Sequence, residues 1–196
     1  EADADIIALQ EAQSWIIQAL LEESWMEQYH LPKISWAVGA RGCLYFLSRI
    51  PIEDSEYSPL PSTLNRGIMT ITVKVQGRRV RVGNIHLESM LQAHQMRSRQ
   101  LDESFAILEK NCDDAVLMGD FNFGENESLE NSHIPPEWQD TWDTLHPNRP
   151  GYTWNIQKSL FAKQNSFEGE GSRRLDKILV RSDYWRPAAS KLVGNE

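Results

Sequence analysis

Residues 116–123 read VLMGDFNF, a short apolar run that ends in two polar side chains, Asp120 and Asn122. Residues two apart in a β-strand lie on the same face, so both side chains would project together just past the end of the strand. A carboxylate beside an amide can hold and orient a water molecule. The stretch therefore predicts a reaction centre, although Gly-Asp and Asn are also ordinary turn formers that could simply end a buried strand.

The composition fits one globular domain. The chain has 196 residues, of which 40% are hydrophobic and 24% charged, which is enough to bury a sizeable core. The formal net charge of -8 argues against a protein that coats nucleic acid non-specifically, because that mode needs many phosphate-neutralising Lys and Arg residues. The basic clusters at 78–81 and 173–177 could form a local patch, or they could be ordinary solvated surface.

The two cysteines of the chain are Cys43 and Cys112. Neither has a second Cys or a His at metal-ligand spacing, which argues against a disulfide scaffold or a zinc site and fits a reducing compartment. The N-terminal residues lack the basic start and apolar core of a signal peptide, and no apolar run is long enough to cross a bilayer. We therefore expect neither a signal peptide nor a membrane span.

Hydrophobic periodicity predicts strands, hairpins and helices in mixed order. The clearest pattern is a hairpin of residues 68–75 and 79–86, which turns at Gln76-Gly77 and buries one face. The other predicted elements are strands at 6–9, 35–38, 43–47, 116–118 and 175–180, helices at 12–29 and 91–110, and a Pro-rich surface loop at 50–61. This order indicates an α/β sandwich of packed sheets covered by helices rather than a regularly alternating βαβ fold.

Polar residues stand at or near the ends of four predicted strands: Glu11, His86, Asp120 with Asn122, and Asp176. Ligand sites commonly collect where the strands of parallel or mixed sheets end. Together these residues offer a hard oxygen ligand for Mg²⁺, a carboxylate that can orient or deprotonate water, an amide, an imidazole and an orienting Asp. Taken singly, Glu11 could serve only the dipole of the following helix, and His86 could be a structural histidine. Asp176 could merely pair with Arg174 or Lys177.

Four motifs, in this order, resemble the endonuclease/exonuclease/phosphatase superfamily over nearly the whole chain: Leu9-Gln10-Glu11, Asn84-Ile85-His86-Leu87-Glu88-Ser89, Gly119-Asp120-Phe121-Asn122 and Arg174-Leu175-Asp176. Within the superfamily, the closest resemblance is to the tyrosyl-DNA phosphodiesterase 2 branch. The secondary motifs that carry it are Pro61-Ser62-Thr63, His86 to Ser89, Arg97 with Gln100-Leu101, and Tyr152-Thr153-Trp154.

The resemblance implies a four-layer α/β sandwich of two packed mixed sheets flanked by helices, which is the DNase I-like fold. It also implies phosphoester hydrolysis with Mg²⁺ or Mn²⁺, the DNA 5′ end as the substrate, a monomer, and a nuclear or cytoplasmic location. In this scheme Glu11 is the metal ligand. Asp120 orients or deprotonates the attacking water, with Asn122 beside it.

The resemblance assigns the remaining residues to the substrate and to support of the site. His86 and Ser89 would donate hydrogen bonds to phosphate oxygens as charge develops in the transition state. Asp176 would act from behind the reacting groups, orienting the histidine of a C-terminal Ser-Asp-His motif. Trp154 would lie on the nucleic-acid side of the cleft, where an aromatic ring can stack on a base.

The chain departs from the family pattern at both ends and at Gly124. The family's first strand, with an active-site Asn, would precede Glu1, and its Ser-Asp-His strand would follow Glu196; Tyr184 stands where Ser182-Asp183 would need a histidine. We therefore expect residues 1–196 to be a single incomplete domain that lacks the first and last strands. Because losing a transition-state donor costs about 10²- to 10³-fold, we expect this chain alone to be nearly inactive. Gly124 lies where the tyrosyl-DNA enzymes tend to have Arg, which weakens a nucleotide contact there.

Three functions remain open at this point. The first is release of tyrosine-linked protein from a DNA 5′ end. The second is phosphatase or phosphodiesterase activity of the same superfamily on lipid, inositol phosphate or another nucleotide substrate. The third is a non-catalytic descendant that binds nucleic acid or a protein partner. The joint presence of the five polar residues at the strand ends favours the enzymes.

Overall fold

The computed structural model describes residues 3–33 and 43–194, and these form two β-sheets with helices on the outer faces. Strands β1 (Ile6–Ala12) and β2 (Cys43–Ser48) pair antiparallel in the smaller sheet. The larger sheet contains β3 (Ile52–Pro59), β4 (Gly67–Val75), β5 (Arg78–His86), β6 (Asp114–Asp120), β7 (Gln139–Asp140) and β8 (Asp176–Arg181), in the order β3-β4-β5-β6-β8-β7. It is a mixed sheet, since β5 and β6 run parallel whereas the other neighbours run antiparallel.

The described helices are short apart from one. They are α1 (Ser14–Leu21), a 3₁₀ helix (Ser24–Gln28), α2 (His94–Leu108), α3 (Ser128–Ser132), α4 (Thr141–Leu145) and α5 (Leu160–Asn165). Within the described residues, no helix is long and apolar enough to cross a membrane.

Three buried clusters separate four layers. Ile17 of α1 and Met26 of the 3₁₀ helix pack with Leu47 on the outer face of the smaller sheet. A second cluster, which includes Phe46 and Ile71, fills the space between the two sheets. On the far face of the larger sheet, α2 packs with β4, β5 and β6; the members from the helix are Leu101, Phe105 and Leu108. The structure thus confirms the four-layer α/β sandwich of two packed sheets flanked by helices.

The hairpin of β4 and β5 confirms the clearest sequence prediction. Its turn residues Gln76 and Gly77 both have positive φ, 48° and 83°, as a two-residue hairpin turn of the favoured type requires. The register pairs Ile68 with Ile85 and Val75 with Arg78. Consequently β5 ends with His86 at the end of the sheet opposite the turn.

Two local predictions were wrong or only partly right, and a third is untested. Residues 50–61 are not a loop, because β3 spans Ile52–Pro59 as an edge strand, where prolines near the strand ends are tolerated. The single helix expected at 12–29 is broken after Leu21 and continues as a 3₁₀ helix. The strand predicted at 35–38 lies outside the described residues.

Candidate active site

The register of the larger sheet brings three predicted site residues to one strand end. His86 at the end of β5 pairs with Asp120 at the end of parallel β6, and Asp120 in turn pairs with Asp176 at the start of antiparallel β8. The backbone N–H of Leu87 continues this ladder by donating to the carbonyl of Asp120 at 2.9 Å. Three residues that are far apart in sequence therefore lie side by side, as the strand-end argument predicts.

Glu11 enters the same site from the smaller sheet. It lies in β1 rather than past its end, at an irregularity where the pairing with β2 shifts between Leu9 and Ala12. Its φ of 55° is unusual for a residue with a long side chain, and such backbone strain often marks functional sites. The bulge leaves the carboxylate 68% exposed with Oε1 4.0 Å from His86 Nδ1.

Buried amide contacts hold β1 against β5 next to Glu11. Gln10 Nε2 donates to Asn84 Oδ1 at 2.6 Å, and Asn84 Nδ2 donates to the carbonyls of Leu9 at 2.9 Å and Tyr45 at 3.1 Å. Because Asn84 is fully buried, these bonds fix the smaller sheet over the end of β5. They therefore set the position of Glu11 relative to His86.

Asp120 and Asn122 do meet, but not through strand alternation. Asn122 lies beyond β6 with a φ of 56°, and its backbone N–H donates to Asp120 Oδ1 at 2.9 Å. Its side-chain Nδ2 donates to the carbonyl of Leu87 at 2.9 Å, which fixes the amide against the β5 end. The turn chemistry that the sequence offered as the structural alternative is thus the means by which the two side chains are brought together.

Negative charge accumulates around Asp120. Burial raises the pKa of Asp120 to about 7, and the charge of the neighbouring Asp176 adds to this shift, with a smaller contribution from Glu11. Such a shift means that the free carboxylate is electrostatically unfavourable in this position. A cation bound here would offset that cost.

Arg66 is a member of the site that the sequence analysis missed. Its Nη1 lies 3.0 Å from His86 Nδ1, and its Nη2 donates to Ser89 Oγ at 3.4 Å. A guanidinium can only donate, so Nδ1 must accept, and the neutral imidazole then carries its proton on Nε2, 3.4 Å from Asp120 Oδ2. Burial and the positive charge of Arg66 lower the pKa of His86 to about 4. The sequence does contain a signal, since Arg66 lies three residues after the Pro61-Ser62-Thr63 motif.

The 152–154 motif, which contains Trp154, is bonded to the start of β8 beside Asp176. Thr153 Oγ1 accepts the backbone N–H groups of Leu175 at 3.0 Å and Asp176 at 3.1 Å, which ties the 152–154 motif to the start of β8. Trp154 forms a backbone bridge with Arg173, and its indole donates to Ser166 Oγ at 3.1 Å. Its ring meets Phe161 edge-on at 6.1 Å between centroids.

Arg174 and Lys177, the residues with which Asp176 could have paired, make their hydrogen bonds to other groups. Arg174 is buried, and its guanidinium bonds to three other carboxylates, Glu125 at 3.1 Å, Asp140 at 2.7 Å and Asp143 at 2.9 Å. Lys177 Nζ donates to the carbonyl of Arg174 at 3.2 Å. The side chain of Asp176 is exposed, and its charge acts on the neighbouring Asp120 by raising the pKa of that carboxyl.

The donors at the site fit a hard cation better than a soft one. In the described part of the chain, no group of three or more His, Cys, Asp or Glu side chains has the spacing of a complete metal site. Mg²⁺ does not need one, because it is commonly held by one or two carboxylates together with waters and substrate phosphate oxygens. Glu11, exposed on its bulge, and Asp120, whose negative charge is unfavourable in this position, supply that kind of donor set.

The sequence matches the Endonuclease/Exonuclease/phosphatase family over residues 1–195. Among curated relatives, tyrosyl-DNA phosphodiesterase 2 from Xenopus laevis is 29% identical over 162 residues, which cover 76% of this chain and 42% of the relative. The chain thus spans about two fifths of the length of that relative.

Solved structures with the same fold include D. rerio TDP2 complexed with single strand DNA product. The match to this structure has a TM-score of 0.74 at 22% identity and covers 94% of this chain and 73% of the D. rerio chain. A mutant of beta toxin from Staphylococcus aureus with bound magnesium ions has a TM-score of 0.71 at 17% identity, covering 95% and 74%. Because the family match extends over nearly the whole sequence and the fold agrees with it, the chain belongs to the Endonuclease/Exonuclease/phosphatase family.

Proposed function

We propose that this chain carries the hydrolytic site of a Mg²⁺-dependent phosphodiesterase whose substrate is 5′-tyrosyl DNA, in the context of DNA repair. The observation that carries the proposal is the convergence of Glu11, His86 and Asp120 from three different strands, with Arg66 on the imidazole. Two anionic groups facing a guanidinium and a neutral imidazole suit a phosphate ester that must be bound and attacked by water.

The proposed roles follow from what each side chain can donate or accept. Asp120, held by the backbone N–H of Asn122, orients or deprotonates the attacking water. His86, Arg66 and Ser89, which lie together, would donate N–H and O–H hydrogen bonds to the phosphate oxygens, where negative charge grows during the reaction. Asp176 acts from behind Asp120 on the neighbouring strand.

Glu11 and Asp120 are the residues that would hold Mg²⁺ or Mn²⁺. When bound, the metal supplies positive charge that polarises the phosphoester and stabilises the leaving oxygen. The protein contributes the exposed carboxylate of Glu11 on a strained bulge, and the Gln10–Asn84 bond keeps that bulge over the end of β5.

The relatives and Trp154 support the substrate class. The curated relatives that match are named tyrosyl-DNA phosphodiesterase 2, and a structure with this fold holds a DNA product. A half-buried indole near β8 offers a face on which a nucleobase can stack, which gives affinity without the broad basic surface that this acidic chain lacks. A monomer in the nucleus or cytoplasm, where DNA ends are repaired, fits this proposal.

The decisive experiment measures release of tyrosine from a 5′-tyrosyl oligonucleotide, with and without Mg²⁺. It is run on the 196-residue chain and on the same chain joined to its flanking coding sequence. The control is Asp120→Asn, which keeps the shape of the side chain. We expect Mg²⁺-dependent release by the longer protein that falls by at least about 10²-fold in the variant, and little release by the chain alone. Full activity of the chain alone would contradict the expectation that it is incomplete.

A second substrate class remains in the proposal because of Gly124. This residue offers no side chain to a nucleotide, and its N–H donates to the carboxylate of Glu127 at 3.0 Å. If the longer, folded protein leaves 5′-tyrosyl DNA intact, lipid and inositol phosphates are the substrates to assay next. Nucleic-acid or protein binding that is independent of metal and unchanged in Asp120→Asn would instead favour a non-catalytic descendant.

A further inference from the structure

Glu88 is a buried carboxylate next to the site for which the roles above have no use. Only 1% of its surface is exposed. Its two oxygens accept from one short segment of chain: Ser62 Oγ at 2.6 Å, the backbone N–H of Thr63 at 3.0 Å, and the hydroxyl of Thr63. Burial raises the pKa of Glu88, but these hydrogen bonds outweigh it and lower the pKa overall. The carboxylate is therefore ionised and committed to holding residues 62–63.

Gln100 of α2 completes the pocket around Glu88. Its Oε1 accepts the backbone N–H of Glu88 at 3.0 Å, and its Nε2 donates to the carbonyl of Pro61 at 2.8 Å. Gln100 is fully buried. The amide thus connects the segment after β5 to the segment before β4, and both are fixed to the long helix.

Ser62 passes this constraint on to Arg66. Its Oγ donates to Glu88 and at the same time accepts the backbone N–H groups of Leu64 and Arg66, both at 2.9 Å. Between them Asn65 adopts a φ of 59°, so the chain folds back sharply within residues 62–66. The direction in which the Arg66 side chain leaves the backbone is therefore set by a serine that Glu88 holds.

The Arg66 side chain ends in the guanidinium that contacts His86 and Ser89. In the sequence His86-Leu87-Glu88-Ser89, the first and last side chains face Arg66, whereas Glu88 holds the backbone from which Arg66 extends. An arginine side chain has many rotamers, and fixing its origin lowers the entropy that must be lost when it contacts a phosphate.

We propose that Glu88 is a positioning residue, which acts through Ser62 and Thr63 to hold the Arg66 guanidinium against His86 and Ser89. This inference rests on the proposed phosphodiesterase function for its catalytic consequence. Its structural content, that removal of the Glu88 carboxylate releases Arg66, stands independently of any activity.

The test is a double-mutant cycle between Glu88→Gln and Arg66→Ala in the intact protein. The glutamine amide keeps the volume but turns a donor toward Ser62 or Thr63. We expect kcat/KM to fall about 10-fold in Glu88→Gln and about 10²-fold in Arg66→Ala, and the double variant to be no worse than Arg66→Ala alone. Multiplication of the two losses, to about 10³-fold, would overturn the proposal, because Glu88 would then act independently of Arg66.

A second readout needs no turnover. Phenylglyoxal labels accessible guanidinium groups, and mass spectrometry of the digested protein gives the labelling rate at Arg66. We expect this rate to rise several-fold in Glu88→Gln. We expect the same rise in Ser62→Ala, which removes the hydroxyl between Glu88 and the backbone of Arg66 and serves as the second variant if Glu88→Gln folds poorly. An unchanged rate in folded Ser62→Ala would overturn the proposal. If wild type hydrolyses none of the phosphoesters named above, the proposed function fails, and the labelling rates still decide the role of Glu88.

Asp114→Asn provides the matched control. Asp114 is also a buried carboxylate with charged and hydroxyl partners, but it lies at the opposite end of β6. We expect it to lower stability without changing Arg66 labelling. An equal rise in labelling in this control would mean that general loosening of the fold, rather than the Glu88 contacts, exposes Arg66, and would overturn the proposal.

Discussion

At the scale of single residues, Arg66 joins the polar groups of the site. Replacement by Lys keeps one positive charge but loses the planar fork that reaches both His86 and Ser89, whereas replacement by Met removes the charge with similar volume. We expect turnover to fall about 10-fold in Arg66→Lys and about 10²- to 10³-fold in Arg66→Met. Steady-state kinetics with the 5′-tyrosyl oligonucleotide checks this order. Equal losses in the two variants would mean that the fork geometry, not charge, is what the reaction needs.

Gly119 precedes Asp120 and has a structural role of its own. Its φ is 138°, and a Cβ there would lie 2.0 Å from the carbonyl oxygen of Ile85 on the parallel neighbour. We expect Gly119→Ala to lower the free energy of unfolding by about 2–5 kcal/mol, from backbone strain and overpacking together. Urea unfolding measures it.

A matched substitution at Gly77 distinguishes backbone strain from overpacking as the cause of the lower free energy of unfolding. It also has a positive φ, 83°, but a Cβ there meets no atom within 4 Å. Gly77→Ala should therefore cost only the conformational part, about 1 kcal/mol. If both variants lose the same amount, the close approach of β6 to Ile85 is not what requires glycine at 119.

At the scale of elements, Asp114 and Arg78 join the other ends of β5 and β6. Arg78 Nε donates to Asp114 Oδ2 at 2.7 Å, and Ser182 after β8 donates to Oδ1. Burial raises the pKa of Asp114, but the bonds from Arg78 and Ser182 outweigh it, so the pKa is lower in the folded state than in the unfolded chain. Its stabilisation is therefore complete above the unfolded pKa of about 3.9 and is lost as the pH falls through the folded pKa.

Comparison of wild type with Asp114→Asn tests this linkage. We expect the variant to be less stable by about 1.5–3 kcal/mol at pH 7, and the difference to shrink once the pH falls below about 4. Urea midpoints between pH 7 and pH 3 give both values, with the exposed Asp54→Asn as the control. A difference that stays constant down to pH 3 would show that the carboxylate charge is not the source of the stability.

The elements also show which parts of the fold the sequence could predict. The hairpin of β4 and β5 was predictable because its alternation and its Gln76-Gly77 turn are local. Strand β3 was missed because its acidic residues and the prolines at and beside its ends resemble a loop, and only its pairing with β4 makes it a strand. The bulge at Glu11 depends on pairing with β2, which no local pattern records.

The candidate site was predictable to a similar extent. Strand ends pointed to Glu11, His86, Asp120 and Asp176, and the sheet register brings the last three together. The contact of Arg66 with His86 depends instead on a buried carboxylate 22 positions further along the chain, Glu88. Such a relay of hydrogen bonds becomes visible only in three dimensions.

At the scale of the whole molecule, a bound cation would join the two sheets, because Glu11 comes from the smaller sheet and Asp120 from the larger. Mg²⁺ should therefore stabilise the fold. At a free Mg²⁺ concentration ten times its Kd, we expect the free energy of unfolding to rise by about 1.4 kcal/mol, which corresponds to a rise in Tm of about 3–6 °C. Calorimetry of Glu11→Gln should show no rise, whereas Glu53→Gln on the outer edge strand should respond like wild type. An undiminished rise in Glu11→Gln would remove Glu11 from the metal site.

The left-handed backbone at Glu11 has a further consequence for how this protein could change over generations. Glycine there would relieve a conformational cost of about 1 kcal/mol or more while deleting the carboxylate. A laboratory selection for heat resistance alone should therefore favour glycine at this codon, and the selected proteins would be more stable but would lack the proposed metal ligand. Asn122 is also left-handed, but glycine there would lose the bond from its amide to the Leu87 carbonyl, which offsets the conformational gain. A selection that also demands turnover should retain both residues and gain its durability elsewhere.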